Sequence, residues 1–259
     1  MLEFSQKVVL ITGVSSGLGR AMAKCFAAKG FAVAGISRCQ PDFPIDLWIE
    51  CDVTDPAARQ TAFDRIISGF GKLDILVNNA GMGAYATWEE LPENELRTLF
   101  ELDFFALVEM TKLFLPLLKK NGGSVINISS AAGRLYVPCM GAYCAAKAAV
   151  AMFSNSLGIE LKNSGVHVLD VAPGQVNTGF SSRSFGRRRP PESPGASSTS
   201  PEKMAGCVFN AWQKKKKRIT YPRPLAFALF LVRAVIPGIY EKISLKLWKL
   251  QSDKTLPDT

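Results

Sequence analysis

The residue order predicts an α/β domain on a doubly wound parallel sheet of about seven strands, and three observations carry that prediction. Short apolar runs alternate with amphipathic helical stretches through the first 180 residues. The runs are continuous and rich in β-branched side chains, as strands buried on both faces require. A glycine-rich turn, Gly13–Gly19, links the first run to the first helical stretch.

Taken in order, Lys7–Thr12 (KVVLIT) reads as the first strand and Leu18–Lys29 as the first helix, with Gly30 as its C-cap. Ala32–Ser37 and Leu47–Cys51 follow as the second and third strands. Asp55 has the N-cap chemistry, and Pro56 the fixed φ, that open a helix running to about Phe70. Leu73–Asn78 is the fourth strand, Glu93–Leu118 one long helix and Ser124–Ser129 the fifth strand. Gly141–Asn163 is another long helix and Val166–Ala172 the sixth strand. Strands connected through helices in this way lie parallel, with helices on both faces. After Phe180 the pattern breaks. Ser181–Pro201 is rich in Ser, Pro, Gly and Arg and reads as a mobile loop. Glu202–Trp212 reads as a helix and Arg218–Tyr221 as the last strand. Leu225–Leu250 is apolar and basic at helical spacing, interrupted at Pro237-Gly238.

With 259 residues, 47% hydrophobic and 20% charged, the chain has the makeup of a globular protein with ample material for a core. Disordered, collagen-like and coiled-coil classes are excluded. Six cysteines (Cys25, Cys39, Cys51, Cys139, Cys144, Cys207) form no C-x-x-C pair, and His167 is the lone histidine. No metal site is expected, and a Ser-His-Asp machine would depend on a histidine that reads as structural, among Val166, Val168 and Leu169. Unpaired thiols in a chain this long point to an intracellular compartment. The N-terminal MLEFSQKVVLITG lacks the basic and apolar regions of a signal peptide, and no window reaches the roughly 20 apolar residues of a membrane span. The expected location is cytoplasmic or peripheral on a membrane face.

Three clusters stand where strands end. Glycines in Thr12–Gly19 let the backbone approach a pyrophosphate, and a helix N-terminus favours the anion. Alone, such a cluster is also what a plain tight turn needs. Asn78-Asn79-Ala80-Gly81 closes the fourth strand and Ser129-Ser130 the fifth. Tyr143 and Lys147, spaced i, i+4, leave one helical face. A cation beside a phenol lowers its pKa and makes it a usable proton donor or acceptor. The same pair also occurs on ordinary surface helices.

Together these clusters resemble the short-chain dehydrogenase/reductase family, from about Lys7 to Thr178. The matching motifs are T-G-x-x-x-G-x-G at Thr12–Gly19, N-N-A-G at Asn78–Gly81, Ser130, Y-x-x-x-K at Tyr143–Lys147 and P-G at Pro173-Gly174. The resemblance implies a Rossmann-type sheet in the order 3-2-1-4-5-6-7. It makes residues 1–224 the catalytic domain, with 181–201 a substrate loop and 225–259 a helical extension. It also implies roles. Tyr143 is the acid/base, Ser130 binds the substrate oxygen, and Lys147 lowers the pKa of Tyr143 and holds the nicotinamide ribose. Gly13, Ser15, Ser16, Gly17, Leu18, Gly19, Asn79, Ala80, Gly81, Pro173 and Gly174 line the cofactor cleft. Asp52-Val53 matches the adenine contact, and Val176 and Thr178 the carboxamide contact. Hydride passes between nicotinamide and substrate carbon, so the protein supplies orientation and electrostatics.

One position departs from the pattern. Asp103 falls about where relatives carry an asparagine, and a carboxylate near Lys147 would partly neutralise the field acting on Tyr143. Activity is expected with an alkaline-shifted profile. The rival reading is a catalytically weak nucleotide-binding or scaffold relative. At the end of the second strand, Ser37-Arg38 replaces the acidic residue that would bind the ribose of NAD, so NADP(H) is expected over NAD(H). Met82, Tyr85, Leu135, Tyr136, Val137, Met140 and Phe180 form an apolar candidate wall, which predicts a hydrophobic substrate such as a steroid, retinoid or keto lipid.

The net charge of +9 is uneven: Arg183 to Arg223 holds eleven Lys/Arg and two Asp/Glu. Without a reader element or interleaved aromatics, Lys214–Arg218 and Arg187–Arg189 do not read as a nucleic-acid site. Beside them, the apolar and lysine-bearing stretch Leu225–Leu250 suits either a peripheral membrane contact or a cover over the substrate pocket. A homo-oligomer is expected from the resemblance, paired through the fourth and fifth helices.

Overall fold

The computed structural model describes residues 6–189, 198–222, 231, 235 and 237–252. Its strands are β1 (Val8–Thr12), β2 (Ala32–Ser37), β3 (Leu47–Glu50), β4 (Ile75–Asn78), β5 (Ser124–Ile128), β6 (His167–Pro173) and β7 (Arg218–Tyr221). They lie in the order β3-β2-β1-β4-β5-β6-β7, every pair parallel. This is the doubly wound order that the resemblance implies. The order reverses between β1 and β4, which opens a crevice at the carboxyl ends of the strands.

Side-chain alternation divides each strand between two cores. Val8 and Leu10 of β1 face a layer of three helices: α2 (Pro56–Phe70), α4 (Ala106–Asn121) and α5 (Gly141–Glu160). Val9 and Ile11 face the opposite layer, α1 (Gly17–Ala27) and α6 (Pro201–Gln213). In that second layer Phe26 meets Phe31, Phe209 and Trp212 at ring separations of 5.2, 5.3 and 6.1 Å. Trp212 donates its indole N–H to Ser124 Oγ at 2.9 Å, which satisfies the polar end of a buried aromatic.

Three elements differ from the sequence expectation. Glu93–Leu118 is not one α-helix: α3 (Glu93–Phe100) passes into a π-helical turn, Glu101–Phe105, before α4 begins. The widened turn carries Asp103 fully inside while Phe105 stays half exposed. The first helix stops at Ala27, and Gly30 (φ +80°) serves the turn that follows rather than the cap itself. The segment after Phe180 is partly built into the domain. Ser181–Arg183 forms a 3₁₀ turn and Phe185 bridges to Ala84, whereas residues 190–197 lie outside the described residues. The C-terminal helix, Pro237–Ser252, starts at the Pro-Gly pair, because proline fits a first helical turn. Residues 225–230, 232–234 and 236 of the expected apolar stretch lie outside the described residues.

The lysine run forms the turn between α6 and β7. Lys215 and Lys216 donate backbone N–H groups to the Trp212 and Ala211 carbonyls at 2.9 and 3.0 Å. His167 at the start of β6 meets the Lys216 carbonyl through Nε2 at 2.9 Å. All six cysteines are free thiols. Among the described residues no group of side chains could hold a metal ion, and no helix is long and apolar enough to cross a membrane.

Candidate active site

The glycine turn is held open from beneath. Thr12 Oγ1 accepts the backbone N–H groups of Asn79 and Ala80, both at 2.9 Å. Asn79 Nδ2 donates in return to the Thr12 carbonyl at 2.9 Å. These bonds tie β1 to β4 across the crevice. A Cβ on Gly19 would lie 2.2 Å from the Gly13 carbonyl oxygen, and one on Gly17 (φ +56°) would press on Thr178 at 3.0 Å. Glycine is therefore required where α1 meets the turn. Ser16 is the N-cap of α1 yet makes no side-chain cap bond, so the first N–H groups of the helix face the crevice beside Ser15, Gly17 and Leu18. An open helix N-terminus under a glycine cradle fits the diphosphate of a dinucleotide.

The other positions expected at the cofactor lie around the same crevice. Gly13 donates its N–H to the Ile36 carbonyl at 2.8 Å, next to the end of β2, where Arg38 is exposed. Ser37 Oγ donates to the Cys39 carbonyl at 2.7 Å and accepts from Trp48 Nε1 at 3.1 Å, which closes that strand end without a carboxylate. Asp52 accepts both the N–H and the hydroxyl of Thr54, beside buried Val53. Pro173 ends β6, Gly174 donates to the Tyr221 carbonyl at 2.6 Å, and Val176 bridges to Thr199.

Ser130 follows β5 and opens the 3₁₀ turn Ala131–Arg134, where its Oγ accepts the Ala132 N–H at 3.1 Å. Tyr143 and Lys147 stand one turn apart at the start of α5, both buried. Lys147 Nζ lies 3.0 Å from Asp103 Oδ2, donates to the Ile128 carbonyl at 3.2 Å and sits 5.8 Å from the Tyr143 ring centroid. Asp103 Oδ1 accepts the Met82 N–H at 2.8 Å. Gly81 fits between them, since a Cβ there would lie 3.2 Å from both Asp103 Oδ1 and Lys147 Nζ. The structure thus brings Ser130, Tyr143, Lys147 and Asp103 together at the carboxyl end of the sheet.

Burial dominates the electrostatics. It pushes the Tyr143 phenol well above its ordinary value, Asp103 pushes it further, and a hydrogen bond with Ser130 pulls the other way. Burial also raises Asp103, against the opposing pull of Lys147 and the Met82 N–H. The lysine and the aspartate form a nearly neutral pair, so the cation acts mostly on the carboxylate beside it.

An apolar wall surrounds this group. Phe180 lies over Tyr143 with ring centroids 5.8 Å apart, and Met82, Met140 and Phe185 pack into the same cluster. Tyr85 is buried, its hydroxyl 3.1 Å from Ser181 Oγ. The Leu135–Val137 stretch meets the C-terminal helix: Tyr136 and Tyr240 stack edge to face at 4.5 Å, and the Tyr240 hydroxyl donates to the Tyr136 carbonyl at 3.0 Å. Several contributors escaped sequence reasoning. Phe185 pairs through its backbone with Gly83 and Tyr85, and Arg188 clasps Glu90 at 2.5 and 2.7 Å. Arg183 donates to Ser16 Oγ at 2.9 Å, across the glycine turn.

A family model described as short chain dehydrogenase matches residues 7–188. Among curated relatives, the 3-ketodihydrosphingosine reductase of Bacteroides thetaiotaomicron is 38% identical over 177 residues, 67% of this chain and 65% of that protein. The match therefore spans less than two-thirds of that relative's length. Human 15-hydroxyprostaglandin dehydrogenase [NAD(+)] is 35% identical over 195 residues, covering 68% of this chain and 71% of that one. A solved short-chain dehydrogenase from Streptomyces avermitilis superposes with a TM-score of 0.78 at 32% identity, covering 94% of this chain and 99% of that one. A Burkholderia phymatum short-chain dehydrogenase/reductase in complex with NAD gives 0.78 at 26% identity, covering 95% and 97%. The chain belongs to the short-chain dehydrogenase family, a family of oxidoreductases that work with nicotinamide cofactors.

Asp103→Asn keeps the side-chain shape and removes the charge that follows burial in raising Tyr143. The phenol then ionises at lower pH. If ionised Tyr143 takes the hydroxyl proton in alcohol oxidation, the rising limb of kcat/KM against pH should move to lower pH. An unmoved limb would show that Asp103 does not act on Tyr143.

Proposed function

We propose that this protein interconverts a hydrophobic ketone or aldehyde, of lipid, steroid or retinoid-like kind, with its alcohol, using NADP(H) in preference to NAD(H). The supporting observation is the convergence of Ser130, Tyr143 and Lys147 beneath the apolar cover of Phe180, Phe185 and Met82. When bound, the cofactor supplies or accepts the hydride. Ser130 and Tyr143 hold the substrate oxygen, Tyr143 gives or takes its proton, and Lys147 orients the nicotinamide ribose. The apolar cover excludes water and selects against polar substrates. The names of the sphingolipid and prostaglandin enzymes among the relatives agree with such a substrate. Tyr143→Phe should reduce turnover of a carbonyl lipid by at least about 10²-fold while leaving NADPH binding, read by fluorescence, nearly intact. Near-wild-type turnover would remove Tyr143 from the reaction.

The NADP(H) preference rests on exposed Arg38 just past β2, beside a strand end closed by a serine. A guanidinium pairs with a 2′-phosphate, and a carboxylate repels it. Arg38→Asp should therefore weaken NADPH more than NADH in equilibrium titrations. Equal losses would count against the preference.

The C-terminal helix supports a peripheral membrane contact at the site mouth. Tyr240 and Ser244 face inward, whereas Ile239, Ile243 and Leu245 face out beside exposed Lys242 and Lys246. Trp88, 63% exposed, packs near Gly141 at the start of α5, on the same side as Tyr136. An apolar stripe with lysines and an interfacial tryptophan suits an anionic bilayer, from which a lipid substrate could enter. The protein should co-sediment with phosphatidylserine-containing vesicles at low salt, and Lys242→Ser with Lys246→Ser should weaken this. Indifference of the intact protein to such vesicles leaves the helix as a pocket cover alone. In the turn before α4 and on α5, exposed Phe105, Met152 and Ile159 support pairing of two copies.

One observation favours a second reading, a nucleotide-binding relative with little activity. Burial, and after it the charge of Asp103, leaves the Tyr143 phenol with a raised pKa. Cofactor binding without turnover on any hydrophobic carbonyl, in wild type and in Asp103→Asn alike, would favour it.

A further inference from the structure

Asp170 lies in the middle of β6 and is 1% exposed, in a strand whose other central side chains are apolar. Its two oxygens face different partners. Oδ1 accepts the Ser129 hydroxyl at 2.5 Å, and Oδ2 accepts Arg134 Nη2 at 2.6 Å. Arg218 Nε stands 3.5 Å from Oδ2, and Arg134 also donates to Thr220 Oγ1 on β7. A buried carboxylate is costly, and a well-packed apolar residue often serves stability as well or better. What Asp170 adds is geometry. Ser129 and Arg134 bracket Ser130 and the 3₁₀ turn it opens, so one carboxylate holds both ends of the segment that carries the serine.

The far side of that segment leans on α5. A Cβ on Gly133 would lie 2.6 Å from the Lys147 carbonyl carbon and 2.7 Å from its oxygen, so the turn sits directly on the backbone at Lys147. Three residues beyond Asp170, β6 ends at Pro173, whose carbonyl Ser130 Oγ approaches at 3.5 Å. Any shift of the 129–134 segment therefore moves Ser130 relative to Tyr143 and Lys147 together.

We propose that Asp170 is a positioning residue of the reaction, fixing Ser130 through Ser129 and Arg134 and setting the turn against α5 at Lys147. This rests on the reading that Ser130 meets the substrate oxygen. Asp170 touches neither substrate nor cofactor; it works by holding the donor in place.

The test uses the full chain with NADPH and decanal. Asp170→Asn retains one acceptor and the side-chain volume but releases one of the two ends. kcat should fall by on the order of 10²-fold, as expected for an ångström-scale misplacement, while KM and the NADPH dissociation constant change little. Ser129→Ala should give a similar kcat loss, and combining it with Asp170→Asn should add little more. Should Asp170→Asn fail to fold, Ser129→Ala still decides, because its side chain is small and its bond to Asp170 is the one at issue. Wild-type kcat in Ser129→Ala, or in an Asp170→Asn variant whose melting temperature alone has dropped, overturns the proposal. A slow Ser130→Ala beside a fast Asp170→Asn overturns the positioning role alone, and a Ser130→Ala variant with full turnover overturns the reading beneath it as well.

Discussion

The buried ammonium of Lys147 is the constraint to which the rest of the site conforms. An unpaired charge in a protein interior is prohibitive, so the surrounding chain must supply counter-charge and acceptors. It does so from separate elements: Asp103 from the turn before α4, the Ile128 carbonyl from β5, and α5 itself, with Gly81 leaving room after β4. Removing either charge of such a pair typically costs about 3–5 kcal/mol, because the other is left stranded. The π-helical turn follows from the same demand. A wider turn at Glu101–Phe105 places Asp103 inside without interrupting the helical path on either side, and such turns recur at functional sites.

That pairing also sets the chemistry available to Tyr143. A phenol buried beside an isolated ammonium would ionise readily, whereas one beside a lysine already paired with a carboxylate is governed by its own desolvation. The site is thus organised less by charge than by exclusion of water. Phe180 over the phenol, the Ala84–Phe185 bridge and the Arg188–Glu90 clasp all hold the segment after β6 across the crevice. The clasp lies at the surface, where an ion pair contributes little stability. Its value is in fixing where the cover rests, next to Arg183 on the glycine turn.

How much of this was legible in the sequence depended on the range of the interactions involved. The parallel, doubly wound sheet was readable because most strands are apolar runs separated by stretches of helical spacing, whereas the strand order came from the resemblance carried by the motifs at the strand ends. Thr12, Asn79, Gly19, Ser130, Tyr143 and Lys147 were readable because each meets a local demand at a strand end or helix start. The π-helical turn was not, since adding one residue to a turn barely disturbs the apolar spacing of Glu93–Leu118. Contacts between distant segments were silent: Arg183 with Ser16, Phe185 with Ala84, and Tyr240 with Tyr136 depend on tertiary placement that no window of sequence contains. Asp170, an acid in an apolar strand, was not singled out in the sequence, because its partners Ser129 and Arg134 lie 41 and 36 residues away along the chain.

The same distinction applies to the excess charge of the last third of the chain. The sequence places Lys214–Arg218 close to the apolar tail, yet the fold sets the lysine run apart from the C-terminal helix, Pro237–Ser252. The lysines enter β7 at its amino end, and in a parallel sheet that is the end opposite the crevice. The C-terminal helix rests on Tyr136, at the crevice mouth, and carries its own lysines there. Arg183 and Arg189 lie on the cover, bonded to Ser16 Oγ and to the Ser182 carbonyl. Positive charge is therefore divided between the two ends of the sheet. At the crevice end it stands above a glycine turn shaped for an anion, and under the function proposed above the same potential would draw in both the cofactor and an anionic surface. At the other end the lysines close a helix C-terminus, where their charge complements the negative end of the helix dipole.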